Sequence, residues 1–269
     1  MIIKAIILGI IQGLTEFLPV SSTAHLIIIE KYLILSKNIL FTNMFQVVIQ
    51  SGSILAVIIY FRKKIIPDRG IIKNFNFKDK YVLLWAKICA AFFPAAIAGL
   101  IFSDKIDELF EKPRPIAYAL IAGAILLLIA EKYSEKNVKI DSEHDASFLK
   151  AFIVGVFQCL ALWPGMSRSG STIIGGFFSG FSRKAAAEFS FLLSIPTILG
   201  AGAYKLIKVI NSGAVFTNGE WTALIIGTFV SFLTAYAVIA LFMNFIRKNK
   251  LSVFAYYRIV LGTIIIIFF

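Results

Sequence analysis

The stretch that decides the fold runs from Gln12 to Leu26, QGLTEFLPVSSTAHL, and it has a counterpart from Trp163 to Gly176, WPGMSRSGSTIIGG. Both interrupt long apolar runs near their centres, with a proline ahead of a cluster of hydroxyl side chains. Ionisable residues inside apolar sequence of bilayer length are costly unless they face a cavity or a partner, so Glu16, His25 and Arg168 are functional candidates by default. Residues 1 to 34 are broken at 19–23 and residues 147 to 180 at 164–171. Each half is then too short to cross a hydrocarbon core of roughly 30 Å. A re-entrant helical hairpin resolves this, because irregular backbone is tolerated at membrane depth where it is buried in protein or lines a water-filled cavity.

The rest of the chain supports a membrane reading. Of its 269 residues 59% are hydrophobic and 16% charged, and the mean hydropathy is +0.86, whereas soluble domains run at roughly 45–50% apolar and about 25% charged. Full spans of about 20 apolar residues can be placed at 40–61, 81–102, 114–131, 184–207, 220–246 and, shorter, 252–269. The expected class is an all-α integral membrane protein with six transmembrane helices plus two re-entrant hairpins. The net charge of +12 is carried by short loops between spans, the positive-inside pattern, which argues for anionic lipid and against nucleic acid. Cys89 and Cys159 sit in apolar segments as small hydrophobes, so no disulfide framework is expected. The N-terminal MIIKAIILGIIQGL has no small-residue cleavage site after it and is read as part of the mature fold.

The two broken stretches also repeat. Gly9, Gln12, Leu14 and Ser21 recur at one offset as Gly155, Gln158, Leu160 and Ser167. We therefore expect one membrane domain over 1–269, with repeat one at 1–132, a polar linker at 133–146 and repeat two at 147–269. A hairpin plus three spans has an odd number of crossings, so the second repeat is inverted. Arg62, Lys63, Lys64, Arg69, Lys73, Lys78 and Lys80 mark one loop as cytoplasmic, and the loop with Asp104, Asp107, Glu108 and Glu111 falls outside, as do both termini. The hairpins then enter from opposite faces and their tips can meet near the midplane. In the linker, His144 stands among Asp141, Glu143 and Asp145. A metal site there is weighed against a solvated linker, and the linker is preferred because no second His or Cys is near in sequence.

At the tips the residue types suggest anion chemistry. Gln12 and Glu16 are four apart and share a helix face, and Gly9 and Gly13 allow close approach nearby. Pro19 ends that helix, and Ser21, Ser22 and Thr23 open the next, offering free amides, hydroxyl caps and a positive dipole end. His25, one turn on, can reach Ser22. In the second hairpin Pro164 and Gly165 stop one helix, and Ser167, Arg168, Ser169, Gly170, Ser171 and Thr172 open another. Arg168 supplies a planar fork for phosphate oxygens. Serine, threonine and glycine in membrane helices are most often packing residues, but Glu16, Ser22, His25 and Arg168 on two matching hairpins are poorly explained by packing.

QGLTEF fits a pattern of Glu or Gln, three residues, then Glu, and PGMSRSGST fits Pro-Gly-x-Ser-Arg-Ser-x-x-Thr. With LPVSSTAHL, QCLALWPG, FQVVIQSGSILAV and EFSFLLSIPTILGA, the chain resembles the bacterial undecaprenyl-pyrophosphate phosphatase, or bacitracin-resistance protein, family over essentially its whole length. Position 12 is Gln where many relatives carry Glu. The resemblance implies removal of the terminal phosphate of undecaprenyl pyrophosphate, giving the monophosphate carrier lipid for peptidoglycan synthesis in the bacterial cytoplasmic (inner) membrane, with the site open to the outer side. It implies a divalent cation, magnesium or calcium, near Glu16 and Gln12. It implies Ser22 as nucleophile, His25 as base or proton shuttle, and Arg168 as pyrophosphate clamp. Substrate contacts are then expected from Ser21, Thr23, Ser167, Ser169, Gly170, Thr172 and Gln12. Attack by His25 or by water with Glu16 as base stays open, and so does oligomeric state, a homodimer included.

A second class is kept. Inverted repeats with broken helices at the midplane are also a transporter architecture, so the chain could flip an anionic lipid or carry a small anion. A carrier would use Arg168 but has no need of Ser22 beside a base.

Overall fold

Apolar runs capped by single polar residues set the helix boundaries. The computed structural model describes residues 1–67, 79–103, 105–106 and 113–269, and regular structure among them is helical apart from one isolated bridge between Ile140 and Phe181. The helices are α1 (Ile2–Thr15), α2 (Ser22–Glu30), α3 (Ile39–Tyr60), the short α4 (Arg62–Ile65), α5 (Lys80–Ile101), α6 (Pro113–Asn137), α7 (Phe148–Gln158), α8 (Arg168–Phe178), α9 (Arg183–Asn211), α10 (Asn218–Ile246) and α11 (Ser252–Phe268). Side chains of Asn38, Asp79, Ser147 and Ser182 accept from first-turn amides of α3, α5, α7 and α9, and Thr217 with Glu220 forms a capping box on α10.

Five helices, α3, α5, α6, α9 and α10, are long and apolar enough to cross a membrane. The sixth expected span falls on α11, which is apolar but shorter than those five: its 17 residues extend only about 25 Å at 1.5 Å per residue. α1 packs on α10, α10 on α3, α11 on α6, and α8 lies among α6, α7 and α9. Gly9 and Gly13 of α1 lie against Gly227 and Ser231 of α10, the close approach that small residues permit.

Two groups of helix ends are identified by their bonds. At one end the Lys64 Nζ reaches Glu143 at 2.8 Å and Glu188 at 2.7 Å, Arg183 Nε reaches Glu131 at 3.0 Å, and Lys250 reaches Glu135 at 2.5 Å. The Glu131 carboxylate also takes the amides of Leu251 and Ser252 at 2.6 and 2.8 Å, satisfying the start of α11. At the other end Lys4 Nζ donates to the Ile34 carbonyl at 2.6 Å, Ser36 to Glu220 at 2.8 Å, and the Lys31 ammonium lies 4.0 Å from the centre of the Phe269 ring. Both chain ends therefore lie at this second end. The α1–α2 hairpin starts and finishes there. The α7–α8 hairpin starts and finishes at the first, basic end, where Lys139 and Ile140 amides bond to the Gly180 carbonyl at 2.8 and 3.0 Å. Arg69, Lys73 and Lys78 of the expected basic loop, and Asp104, Asp107, Glu108, Glu111 and Lys112 of the expected acidic loop, lie outside the described residues.

The linker differs from its expectation at one point. α6 continues to Asn137, and Lys139, Asp141 and Asp145 are exposed as a solvated linker requires, but Glu143 is fully buried, so the segment is docked there. The cause is Lys64, which gives Glu143 a counter-charge. Among the described residues no cluster of three metal-ligating side chains occurs, at His144 or elsewhere. Burial pushes the Glu143 carboxyl up, but hydrogen bonds from Glu188 and Lys64 outweigh it and the net direction is down.

A carboxyl held down in the fold stabilises it above the ordinary carboxylate range and loses that contribution as pH falls through the folded value. Glu143→Ala should therefore lower the apparent melting temperature of the purified protein at pH 7. Because Lys64 is one-third exposed, the loss is on the order of 1 kcal/mol, or about 2–4 °C. The deficit should shrink as the wild type is acidified below the ordinary carboxylate range; a constant deficit would mean that Glu143 acts by packing alone.

Candidate active site

The first tip begins where Pro19 cannot continue α1, since it lacks an N–H and disfavours helical backbone at Leu18. The chain turns through Phe17 to Val20 and re-enters a helix at Ser22. Ser21, the residue before α2, has φ of 71°, and its hydroxyl accepts from the Ala24 amide at 3.4 Å. The second tip matches it. α7 gives way to a 3-10 turn over Cys159–Leu162, then Pro164, then Gly165 at φ 98°, where a Cβ would run into the Ile116 carbonyl. Ser167 has φ of 68° and caps α8 by accepting from the Gly170 amide at 3.1 Å. These are the two non-glycine residues with positive φ among those described. That left-handed backbone is costly for serine, and Ser22 and Arg168, the first residues of α2 and α8, both bond to Glu16.

Glu16 is the hub between the tips, at 6% exposure. Its Oε2 accepts from Gln12 Nε2 at 2.7 Å, one turn back, and from Ser22 Oγ at 2.8 Å. Its Oε1 accepts from Arg168 Nη2 at 3.2 Å. The other arm of the guanidinium donates to the Ser190 carbonyl at 3.0 Å, and Arg168 Cζ lies 5.8 Å from the centre of the Phe17 ring. Ser169 Oγ donates across the junction to the Leu18 carbonyl at 2.9 Å. Two buried polar atoms here have no partner among the described residues, the acceptor Gln12 Oε1 and the donor Arg168 Nε.

His25 does not meet Ser22, as its spacing had suggested. Its Nδ1 lies 2.7 Å from the Ser21 carbonyl, so Nδ1 carries the proton, and Nε2 accepts from Tyr257 Oη at 2.6 Å. The ring bends back to the carbonyl four residues earlier, and Tyr257 stacks on it at 5.7 Å between ring centres. The group positioned to take the Ser22 proton is Glu16. Thr172 is fully buried and bonds to the Arg168 and Ser169 carbonyls and, at 2.6 Å, to Ser190 Oγ, so it supports α8 from behind. Ser167 and Ser169 bond to each other at 3.1 Å. Thr23 is half-buried in the first turn of α2. Sequence reading missed Ser190, Tyr257 and Arg258. Only Arg258 carried a signal, as a cation inside an apolar span.

The geometry places a hydroxyl, a carboxylate and a guanidinium at the junction of two helix starts, and the comparisons bear on who shares it. Residues 5–264 match the family described as bacitracin resistance protein BacA. The chain belongs to that family. It is 46% identical over 268 residues to undecaprenyl-diphosphatase 1 of Clostridioides difficile (strain 630), covering 100% of this chain and 96% of that protein. It is 45% identical over 267 residues to the undecaprenyl-diphosphatase of Thermoanaerobacter sp. (strain X514), covering 99% and 96%. It is 42% identical over 273 residues to that of Enterococcus faecalis, again covering 99% and 96%. As a member of the BacA family the chain has both broken stretches inside the matched region.

Removing one member of a buried ion pair leaves the other uncompensated and typically costs about 3–5 kcal/mol. Glu16→Gln and Arg168→Met should each lower the apparent melting temperature, and the double variant should be more stable than the sum of the two losses allows. Additive losses would show that the two side chains do not pair in the folded protein.

Proposed function

We propose that this protein is an undecaprenyl-diphosphatase that uses Ser22 as nucleophile and Glu16 as its base. The observation that carries the reading is the 2.8 Å bond from Ser22 Oγ to a carboxylate whose other oxygen is held by Arg168. A serine hydroxyl needs an adjacent base to attack phosphorus, and phosphoryl transfer needs cations and amides around the transferring group. When the terminal phosphate binds, it takes Arg168 away from Glu16 and accepts the free Nε as well. Glu16, released from its counter-ion, accepts the Ser22 proton as Oγ bonds to the terminal phosphorus. The bridging P–O bond breaks, and Glu16 passes that proton to the departing undecaprenyl phosphate, which returns it to the carboxylate form. Glu16 then deprotonates a water whose oxygen bonds to the phosphorus of the phosphoserine; the Ser22 Oγ–P bond breaks, Oγ takes the proton back from Glu16, and inorganic phosphate is released. His25, braced by Tyr257, holds the Ser21 carbonyl, and with it the left-handed turn that precedes Ser22.

Gln12 Oε1 lacks a partner and stands one turn from Glu16, so an amide oxygen and a carboxylate would hold magnesium or calcium there. Both are hard oxygen donors, and phosphate oxygens with water would complete the shell. A divalent ion, when bound, would offset phosphate charge. For the architecture, we infer six crossings with α11 as the shortest, and two re-entrant hairpins in an inverted repeat, 1–132 and 147–269, joined through 133–146. The basic end faces the cytoplasm across the bacterial inner membrane. The 14 residues of α1 carry the first tip about 21 Å in from the outer end, and because that hairpin starts and finishes there, we read the site as opening outward.

Ser22→Ala and Glu16→Gln should each lower phosphate release from undecaprenyl diphosphate on the order of 100-fold or more, with lipid binding retained. Full turnover by Ser22→Ala would transfer the attack to water, and a wild type that releases no phosphate while moving lipid would make the protein a carrier. Chelation should suppress release by the wild type, and Gln12→Ala should raise the magnesium concentration needed to restore it; an unchanged requirement would remove Gln12 from the ion.

A further inference from the structure

Arg258 is fully buried in α11, and it bonds to no carboxylate among the described residues. An intramembrane cation without a counter-ion is expensive, so its retention calls for a role. Its guanidinium donates to five backbone carbonyls. Nε reaches Leu120 at 3.2 Å, Nη2 reaches Ala119 at 3.4 Å, and these two belong to α6. The same Nη2 reaches Gly165 at 3.3 Å and Met166 at 2.9 Å, both in the second tip just ahead of the left-handed Ser167. Nη1 reaches Pro19 at 3.5 Å, in the first tip just ahead of the left-handed Ser21. One planar fork thus holds the last carbonyls of both broken stretches against a continuous helix. These are the groups that helix breaking leaves without amide partners.

Two glycines make the space for it. A Cβ on Gly123 of α6 would overlap Arg258 Nη2 and lie 2.8 Å from Met166 Sδ, and one on Gly170 of α8 would lie 2.9 Å from Arg258 Nη1. The guanidinium is therefore caged from three helices, and its hydrogen bonds go to none of Ser22, Glu16 and Arg168.

We propose that Arg258 is a positioning residue for phosphoryl transfer. It sets the spacing of the two tips, so that Glu16 and Ser22 of one meet Arg168 of the other. The proposal rests on the diphosphatase reading above. Lysine cannot replace it, because a single ammonium has three donors and no planar fork to span five carbonyls in three segments.

Phosphate release from undecaprenyl diphosphate should be measured on monodisperse, detergent-purified wild type, Arg258→Lys and Gly123→Ala, with kcat given per folded molecule. Arg258→Lys keeps the charge and should lose about 100-fold in kcat, the cost of displacing a catalytic group by an ångström or so, with KM within about twofold because no substrate contact is removed. Gly123→Ala leaves Arg258 in place but drives its fork aside from α6, which carries none of the proposed substrate contacts, and should lose about 10-fold in kcat with the same unchanged KM. A merely structural role would lower the yield of folded protein and leave kcat per folded molecule as it was. Wild-type kcat in both variants overturns the proposal, as does failure of both to fold, which would assign Arg258 to folding alone. If only Arg258→Lys aggregates, Gly123→Ala decides. A wild type that releases no phosphate overturns instead the functional reading on which the proposal stands.

Discussion

A helix broken inside an apolar bundle leaves carbonyls and amides that lipid cannot satisfy, and the structure is organised around meeting that requirement twice. On the amide side, Ser21 and Ser167 adopt left-handed backbone so that their own hydroxyls cap the next helix. On the carbonyl side, Arg258 collects Pro19, Gly165 and Met166. The breaks are what make the first-turn amides available in the interior, and an intact helix there would present no anion site at all. The catalytic geometry and the solution to the backbone problem are one arrangement.

Charge follows from the same constraint. Glu16 and Arg168 are buried at the junction, and each is tolerable only beside the other. Their pairing in the absence of substrate keeps the base occupied and the clamp neutralised. On the mechanism proposed above, a pyrophosphate would compete for Arg168 and so liberate Glu16 when Ser22 has a phosphorus to attack, and the ion pair would couple substrate binding to activation of the nucleophile.

Much of the fold was legible in the sequence because burial against lipid is a property each residue has on its own. Expected spans at 40–61, 81–102 and 220–246 fall within two residues of Ile39–Tyr60, Lys80–Ile101 and Asn218–Ile246. Hydropathy failed where charge is paired. α6 runs past its expected end to Asn137 because Arg183 and the α11 amides take up Glu131, and the linker is docked because Lys64 meets Glu143. At the candidate site, residue types and local spacing pointed to Gln12, Glu16, Ser22 and Arg168, which the fold joins in one hydrogen-bonded cluster. Partners were not legible: His25 lies one turn from Ser22 yet bonds to Tyr257, 232 positions away. Such pairings depend on how helices pack, and no local pattern encodes that.

The two tips share a backbone and divide the chemistry. Gln12 and Gln158 are equivalent under the repeat offset of 146, but position 16 is an acid and its counterpart, Leu162, is apolar, while Ser22 corresponds to Arg168. Gln12 bonds to Glu16, whereas Gln158 turns its oxygen to Thr197 at 3.1 Å. Had both copies kept the acid, two carboxylates would share the junction and repel a phosphate. Had both kept the arginine, two buried cations would face each other without a base. Placing Glu16 and Ser22 on one tip and Arg168 on the other gives the two similar hairpins a single, self-neutralised cluster. The symmetric frame supplies converging helix starts, and the broken symmetry of the side chains supplies the reaction.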